Sequence, residues 1–444
     1  MMKPALMVNA YEPSENTILD RHTAALIARR GRVLGPSYKL FYKHPLHVVR
    51  SEGVWLYDQY GKAYLDVYNN VPAVGHCHPA VTDAVSRQLC TLNTHTRYLN
   101  EVVLDYAERL VSTFPSDLSN VMFTCTGSES SDLALRIARC HTDGTGIIVT
   151  ENAYHGITAA VAEISPSLGK GVPLGAHVRV VPAPNAYHQG EGNTADLFTE
   201  AVRNAIADLR RHGIRPAALV TDTIFSSDGI YSGPAGFLQG AVTAIREAGG
   251  LFIADEVQPG FGRLGTHMWG FERHGIVPDL VILGKPMGNG LPIGGVVARP
   301  ACLQRFAGIA RYFNTFGGNP VSCAAGMAVL DVIEKQQLQQ NAAETGQLLI
   351  NGLNTLAQRF PVIGNVRGSG LFIGAELVSD NATKKPAGEY ALDVVNRLRA
   401  RQILISACGK DSHVLKIRPP LVFSAENAHY LLAVMTDVME EMFN

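Results

Sequence analysis

The residue best placed to do chemistry is Lys285, which directly follows an apolar segment and opens a glycine-rich loop. The sequence there is DLVILGKPMGNGLPIGG, residues 279–295, with Gly284 and Pro286 on either side of the lysine. A lysine held at a strand end loses hydration, so its pKa falls and it becomes a usable amine nucleophile. Most lysines are solvated surface residues. The glycine-rich loop, together with Asp255 at the end of another apolar segment, favours a site.

Two adjacent carboxylates, Asp255 and Glu256, follow the apolar segment LFIA within residues 251–265. An unpaired carboxylate at a buried strand end costs free energy, so we expect a cationic partner for this pair. A helix cap or a solvated turn is the alternative. The G-x-G-x-x-G pattern in residues 260–265 does not indicate a dinucleotide site, because it does not directly follow the strand and no helix with an acidic residue completes the unit.

The segment TCTGSESSDLALRIAR, residues 124–139, has the features of a phosphate cradle. A strand ends at Cys125 and a helix opens near Ser128, whose hydroxyl would add a donor to the free N–H groups of the helix. Gly127 allows close backbone approach, although the same residues also suit an ordinary helix cap. Tyr154 follows the strand-like GIIVT and either offers an aromatic face to a flat ligand or belongs to the core.

In this order and spacing, these residues resemble those of the class III, fold-type I enzymes that use pyridoxal 5′-phosphate (PLP), the family of ornithine and ω-amino-acid aminotransferases. The likeness covers nearly the whole chain. It is carried by GVWLYDQYGKAYLD, GHCHP, TGSES, AYHG, IADEVQPGFGR, GKPMGNGLPIGG, FNTFGGNPVSCA and KIRPPL. The resemblance implies an α/β fold, with a large domain built on a mainly parallel seven-stranded sheet between helices and a smaller α+β domain.

The resemblance also implies a role for each matching residue. Lys285 would bond covalently to the cofactor, and Asp255 would pair with the pyridinium nitrogen, which makes the ring an electron sink. The other implied contacts are Val257 and Tyr154 on the ring faces, Gln258 on the ring hydroxyl, Gly127 and Ser128 on the phosphate, and Thr315 on the phosphate of the neighbouring subunit's cofactor. A homodimer with active sites at its interface is therefore implied, and pairing of dimers into a tetramer stays open.

A narrower resemblance connects the chain to the ethanolamine-phosphate phospho-lyases, through NNVPAVGHCHP, LNTHTRYLNE, GPSYKLFY and VLKIRPPLVFSAENA. It implies elimination of phosphate from O-phosphoethanolamine, or a related amino phosphate ester, to give an aldehyde, ammonia and phosphate. Lys416 stands where aminotransferases that act on α-carboxylates carry an arginine clamp. The candidate ligands of the substrate phosphate are Lys416, Arg97, Lys39 and Arg418, each of which is alternatively a surface or structural ion pair.

Two departures from the family pattern put the substrate's identity in question: Asp222 replaces a glutamate, and Ser130-Ser131 replace Ala-Asn. The competing interpretations are a class III ω-aminotransferase with a keto-acid acceptor and a non-catalytic PLP-binding protein. Lys285 together with Asp255 argues against the second.

The elements that must position these residues follow from hydrophobic periodicity. Residues 48–67 read as a hairpin, and helical patterns alternate with short apolar strands between about 100 and 300, which is typical of a mainly parallel sheet covered by helices. Beyond about 320, two long helices precede further strands and a last helix. We therefore predict an N-terminal segment (1–70) that contributes to the small domain, a large PLP-binding domain (71–320) and a C-terminal small domain (321–444).

Composition excludes several classes of protein. The 444 residues carry 38 basic and 39 acidic side chains, and charged residues make up 17%, against about 25% in an ordinary soluble domain. Disorder and nucleic-acid binding are therefore not expected. The seven cysteines include no C-x-x-C pair, which favours a reducing compartment. The sequence also has no apolar run of membrane-spanning length, and its start is unlike a signal peptide. We therefore predict a cytoplasmic protein that does not bind membranes. The GHCHP segment lacks a second ligand pair at suitable spacing, so no metal site is predicted.

Overall fold

The computed structural model describes residues 7–13 and 18–443. The first residues, which the sequence analysis interprets as unlike a signal peptide, lie largely outside this part. The chain begins with helix α1 (Arg21–Leu34) and strands β1 (Val48–Glu52), β2 (Trp55–Asp58) and β3 (Ala63–Asp66). The predicted hairpin is a three-stranded antiparallel meander. Its first turn, which the sequence analysis missed, lies at Gly53, where φ is +57°.

The middle of the chain forms one sheet with helices packed on it. Its elements are α2 (Pro79–Thr91), α3 (Glu101–Val111), β4 (Asn120–Thr124), α4 (Gly127–Thr142), β5 (Gly146–Thr150), α5 (Ala159–Ala162), β6 (Val178–Val181), α6 (Ala186–Gln189), α7 (Thr194–Arg211), β7 (Pro216–Asp222), α8 (Gln239–Glu247), β8 (Leu251–Asp255), β9 (Leu280–Leu283), β10 (Gly294–Ala298) and α9 (Pro300–Ile309). Short 3₁₀ turns cover Pro166–Leu168, Glu191–Asn193, Gly270–His274 and Lys285–Gly288.

The seven strands of this sheet run in the order β4-β10-β9-β8-β7-β5-β6. Strand β10 is antiparallel to both of its neighbours, and the other pairs are parallel. The prediction of a mainly parallel seven-stranded sheet is confirmed. Strands β5, β8, β9 and β10 are buried along their whole length, as expected for strands with helices on both faces. The carboxyl ends of β5, β7, β8 and β9 therefore share one edge, where ligands bind in such sheets.

The last part of the chain builds a smaller sheet. Its elements are α10 (Pro320–Lys335), α11 (Leu338–Arg359), β11 (Ile363–Ser369), β12 (Phe372–Asp380), β13 (Lys385–Pro386), α12 (Gly388–Ala400), β14 (Ile403–Leu404), β15 (Ser406–Cys408), β16 (Val414–Ile417) and α13 (Ala425–Phe443). The strand order is β11-β12-β16-β15, with β13 on β12. Strand β14 pairs in parallel with β3, so the N-terminal meander and the C-terminal part are joined. The residue limits of the domains stay a prediction.

The GHCHP histidines have structural partners. His76 Nε2 lies 2.8 Å from Asp66 Oδ2, and His78 Nδ1 accepts from Ala80 N at 3.2 Å at the start of α2. Within residues 7–13 and 18–443, no three His, Cys, Asp or Glu side chains are grouped so that they could hold a metal ion. Over the same ranges, no helix combines the length and apolar character that a membrane span requires.

Candidate active site

A cavity of about 210 Å³ lies at the carboxyl edge of the seven-stranded sheet. Its walls come from the start of α4, the loop after β5, and the ends of β7, β8 and β9. The predicted residues that line it are Gly127, Ser128, Tyr154, Asp255, Val257, Gln258 and Lys285. The structure thus brings together seven residues from four separate segments of the sequence, and the role predicted for each stays a prediction.

Lys285 begins the 3₁₀ turn after β9 and is half-buried. Loss of hydration lowers the pKa of its ammonium group to about 8, and the positive charge of Arg418 lowers it further. The carboxylates of Asp255 and Asp222 act in the opposite direction but do not outweigh burial. The lowered pKa makes the neutral amine, which is the form that can attack a carbonyl or take a proton, easier to reach near neutral pH.

Asp255 is buried, and both of its carboxylate oxygens have donors. His155 Nδ1 lies 2.7 Å from Oδ2, and the Val257 N–H donates to Oδ1 at 3.1 Å. Because a carboxylate only accepts, the proton of this hydrogen bond belongs to His155 Nδ1. His155 was not among the predicted site residues, and the one signal in the sequence is its place beside Tyr154 in AYHG.

Glu256 corrects an expectation. We expected a cationic partner for the carboxylate pair, but Glu256 is fully buried and its donors are neutral. It accepts from Thr223 Oγ1 at 2.9 Å, from Gly270 N at 2.8 Å and from Phe271 N at 2.9 Å. Burial raises the pKa of Glu256 to about 8, and the hydrogen bonds from Gly270, Thr223 and Phe271 offset this rise only in part. This side chain fastens the 3₁₀ turn at Gly270–His274 and does not line the cavity.

The first turn of α4 has the shape required of a phosphate cradle. A Cβ on Gly127 would lie 3.1 Å from Val257 Cγ2, and one on Gly156, where φ is +139°, would lie 2.6 Å from Ser128 Oγ. Glycine at both positions therefore lets two loops approach the helix N-terminus closely. Ser128 Oγ accepts from Ile157 N at 3.1 Å. With the N–H groups of α4 at one end and Asp255 at the other, the residues present fit PLP.

The two serines that depart from the family pattern are buried and hold the cradle in place. Ser130 Oγ donates to Leu283 O at 2.9 Å, which ties α4 to the strand before Lys285. Ser131 Oγ donates to His155 O at 2.8 Å, which ties α4 to the loop after β5.

Asp222, the other departure, ends β7 and organises the loop that follows it. Its Oδ1 accepts from Ile224 N at 2.9 Å and its Oδ2 from Ser226 N at 3.0 Å. Burial, and then the charge of Asp255, raises the pKa of Asp222. The loop in turn presents the carbonyl of Ser226 to Lys416.

Lys416 and Arg418 form a buried cationic pair beside the cavity, each with 6% of its surface exposed. Both side chains are buried, and their role as ligands of the substrate phosphate stays a prediction. Lys416 Nζ donates to Ser226 O at 2.8 Å, and Arg418 Nη1 donates to Gln258 Oε1. Burial, then the charge of Arg418, lowers the pKa of Lys416 to about 7, and Lys285 contributes in the same direction.

Arg97, Lys39 and Thr315 do not line the cavity of the single chain. All three are exposed. The guanidinium of Arg97 lies 3.8 Å from the centroid of the Phe313 ring, in a second cavity of about 500 Å³ that also borders Asn314. Thr315 follows Asn314 directly. The roles of these residues, which for Thr315 require a neighbouring subunit, stay predictions.

The family is now clear. The Aminotransferase class-III family model matches residues 40–439. The chain therefore belongs to the class III aminotransferase family, which depends on PLP.

Its relatives carry two kinds of name. A phospholyase from Arthrobacter, solved in complex with phosphoethanolamine, is 44% identical with a TM-score of 0.91, over 94% of this chain and 100% of that one. The alanine–glyoxylate aminotransferase 2-like protein of Drosophila melanogaster is 41% identical over 433 residues, 94% of this chain and 87% of the relative. The ethanolamine-phosphate phospho-lyase homolog 1 of Caenorhabditis elegans is 35% identical over 443 residues, 95% and 94% of the two chains.

Proposed function

We propose that this enzyme is a phospho-lyase that eliminates phosphate from O-phosphoethanolamine, or a related amino phosphate ester, to give an aldehyde, ammonia and phosphate. The observation that carries the proposal is the buried Lys416 side chain beside the cavity, at the position of the family's arginine clamp. Its hydrogen bond goes to a neutral carbonyl, Ser226 O at 2.8 Å, and not to a carboxylate, so a bound anion would favour the protonated form of this lysine. The 44% identity to a phospholyase solved with phosphoethanolamine supports the same reaction.

Residues of the cavity, together with Lys416 beside it, can carry out the separate steps of this reaction. PLP, when bound through Lys285, supplies an electron sink for the carbon next to the substrate nitrogen. Asp255, fixed by His155, would pair with the ring nitrogen. Once the substrate amine has replaced Lys285 on the cofactor, the freed amine of Lys285 would take the proton from that carbon, and Lys416 would stabilise the negative charge of the phosphate as the adjacent C–O bond breaks. Water then converts the remaining fragment to aldehyde and ammonia.

A class III ω-aminotransferase with a keto-acid acceptor is the second candidate. The aminotransferase name of the Drosophila relative favours it. In that reaction Lys416 would bind the carboxylate of the amino acid or keto acid, and no phosphate would be released. The phospho-lyase therefore releases phosphate and ammonia without a co-substrate, whereas the aminotransferase requires a keto acid and releases neither.

The test is to incubate the PLP-loaded enzyme with phosphoethanolamine and no keto acid, and to measure inorganic phosphate and acetaldehyde. We expect each enzyme molecule to release phosphate and acetaldehyde over many turnovers. We expect Lys416→Met to lower kcat/KM by about tenfold or more, as loss of a charged contact to a phosphate should. Lys410→Met, which changes an exposed lysine in the β15–β16 connection, is the matched control. Keto-acid-dependent amine transfer without phosphate release would reject the phospho-lyase and favour the second candidate.

The proposal includes a homodimer in which Thr315 of each subunit completes the site of the other, and a cytoplasmic location. The seven cysteines are free thiols, which supports a reducing compartment.

A further inference from the structure

The contact between Arg418 and Gln258 joins the C-terminal sheet to the cavity. Gln258 belongs to the turn after β8 and lines the cavity beside Lys285. Arg418 directly follows β16, and its Nη1 donates to Gln258 Oε1. Both side chains are buried, with 8% and 6% of their surface exposed. A buried contact of this kind restricts the conformation of the glutamine.

The contact also decides which end of the Gln258 amide faces the cavity. A guanidinium group has five N–H donors and no acceptor, so only the amide oxygen can face Arg418. The amide NH₂ group must then point away from Arg418. Gln258 consequently offers donors, and no acceptor, to whatever occupies the cavity.

Arg418 is itself fixed in position. Its guanidinium carbon lies 4.5 Å from the centroid of the Tyr68 ring, a cation–π arrangement. Its backbone N–H donates to Val67 O at 2.9 Å. Its Nε is buried and has no hydrogen-bond partner among the described residues. Neither Arg418 nor Lys416 lines the cavity, and the hydrogen bond to Gln258 is what connects the Arg418 guanidinium to it.

We propose that Arg418 is a positioning residue that fixes the Gln258 amide with its NH₂ group toward the ring hydroxyl of PLP. A donor held at that oxygen favours its deprotonated form. The pH at which the visible absorbance of the PLP-loaded enzyme changes should therefore depend on Arg418 even when no substrate is present. The inference concerns the enzyme before substrate binds, so it stands or falls independently of the proposed phospho-lyase reaction.

The other groups that face this part of the cavity stay unchanged in the variants used to test the proposal. They are Lys285, Asp222, Asp255, His155 and Tyr154 in the cavity wall, together with Lys416, whose charge acts on Lys285 from beside it. A direct effect of the Arg418 charge on Lys285 also exists, so the experiment has to separate this effect from the one transmitted by Gln258.

The experiment titrates the visible absorbance of the PLP-loaded enzyme against pH in four proteins: wild type, Arg418→Met, Gln258→Met and the double variant. We expect Arg418→Met to raise the midpoint by about one pH unit, a tenfold change in the proton equilibrium. In the Gln258→Met background the same change should raise it by less than half as much, because only the direct charge effect is left. Arg418→Lys keeps a positive charge and a donor, so its midpoint should lie between those of the wild type and Arg418→Met.

Equal shifts in the two backgrounds would overturn the proposal, since Arg418 would then act by charge alone. An unchanged midpoint, with a higher KM for phosphoethanolamine, would also overturn it and would return Arg418 to the predicted phosphate ligands. If Arg418→Met does not retain PLP, Arg418→Lys is measured with Gln258 present and in the Gln258→Met background. We expect it to shift the midpoint less in the Gln258→Met background.

Discussion

Each carboxylate oxygen of the buried Asp255 has a hydrogen-bond donor, His155 Nδ1 for one and the Val257 N–H for the other. Of these, the hydrogen bond from His155 Nδ1 at 2.7 Å is the one that a mutation can remove without touching the backbone. His155 is buried, and its backbone N–H donates to Ser165 Oγ at 3.0 Å, so the loop that carries the ring is held in place. His155 therefore acts through Asp255 as a positioning residue.

We expect His155→Leu to weaken PLP binding and to lower kcat by about tenfold, because one carboxylate oxygen of Asp255 loses its donor. His155→Asn is the matched control, since the Asn amide nitrogen can occupy the place of Nδ1. PLP affinity measured by absorbance titration, together with kcat, separates the two variants. Equal losses in both would show that the imidazole matters for packing and not for its hydrogen bond.

Residue types and their neighbours in sequence were sufficient to predict Lys285, Asp255 and the glycine of the phosphate cradle. Each follows an apolar strand, and ligands bind at that edge of such a sheet. His155 and Glu256 could not be assigned in the same way. Their partners lie far away in sequence, at Asp255 for the first and at Gly270 and Phe271 for the second, and no local pattern records such contacts.

Among the elements, the connection after β7 holds the two larger sheets together. Ser226 O accepts from Lys416 Nζ at 2.8 Å, and Gly229 O accepts from Arg367 Nη2 at 2.7 Å. Arg367 lies on β11 and also donates to Glu376 on β12, whose carboxylate is fully buried. The smaller sheet is thus fastened to the site through charged side chains that originate in its own strands.

Glu376 should make the stability of this arrangement depend on pH. Burial alone would raise its pKa, but the hydrogen bond from His413 and the charge of Arg367 outweigh burial and lower the pKa to about 2. The folded-state pKa lies below the ordinary 4.5, so the contribution is fully present above pH 4.5 and is lost as the pH falls toward 2. Its size is about 3 kcal/mol.

We expect Glu376→Gln to lower the free energy of unfolding near neutral pH and to flatten its dependence on pH between 2 and 4.5. Urea unfolding at several pH values measures both effects. Glu334→Gln is the control, because Glu334 pairs with Arg109 at the surface and is 70% exposed, where ion pairs contribute little. If both variants show the same pH profile, Glu376 does not account for the acid sensitivity.

Several elements were predictable from periodicity, and others were not. Alternation of helical patterns with short apolar strands predicted the large sheet. The turn at Gly53 within the predicted hairpin was missed because its sequence, SEGVW, lacks a second turn-forming residue beside the glycine. The pairing of β14 with β3 joins residues more than three hundred positions apart. Strand β14 consists only of Ile403 and Leu404, and so short an apolar segment carries no signal that would select this partner.

At the scale of the whole molecule, the low charge content leaves apolar surface around Arg97 and Thr315. Tyr98, Leu99 and Phe316 are 67%, 97% and 69% exposed in the single chain. Exposed apolar side chains in a cluster indicate a surface that another protein covers. The proposed homodimer would cover them and would bring Thr315 to the partner's site, which explains why Thr315 lies outside the cavity of its own chain.

Hybrid dimers test this sharing of residues directly. A Lys285→Ala subunit has no lysine for PLP, and a Thr315→Ala subunit should hold PLP more weakly by about tenfold, since a phosphate contact is lost. If Thr315 serves the partner, a dimer of one subunit of each kind contains one site with both native residues, and that site should bind PLP with wild-type affinity. If Thr315 serves its own subunit, every site in the hybrid carries a substitution and no tight site appears. Absorbance titration of hybrids separated by differential affinity tags, with Thr315→Ser homodimers as the conservative control, distinguishes the two arrangements.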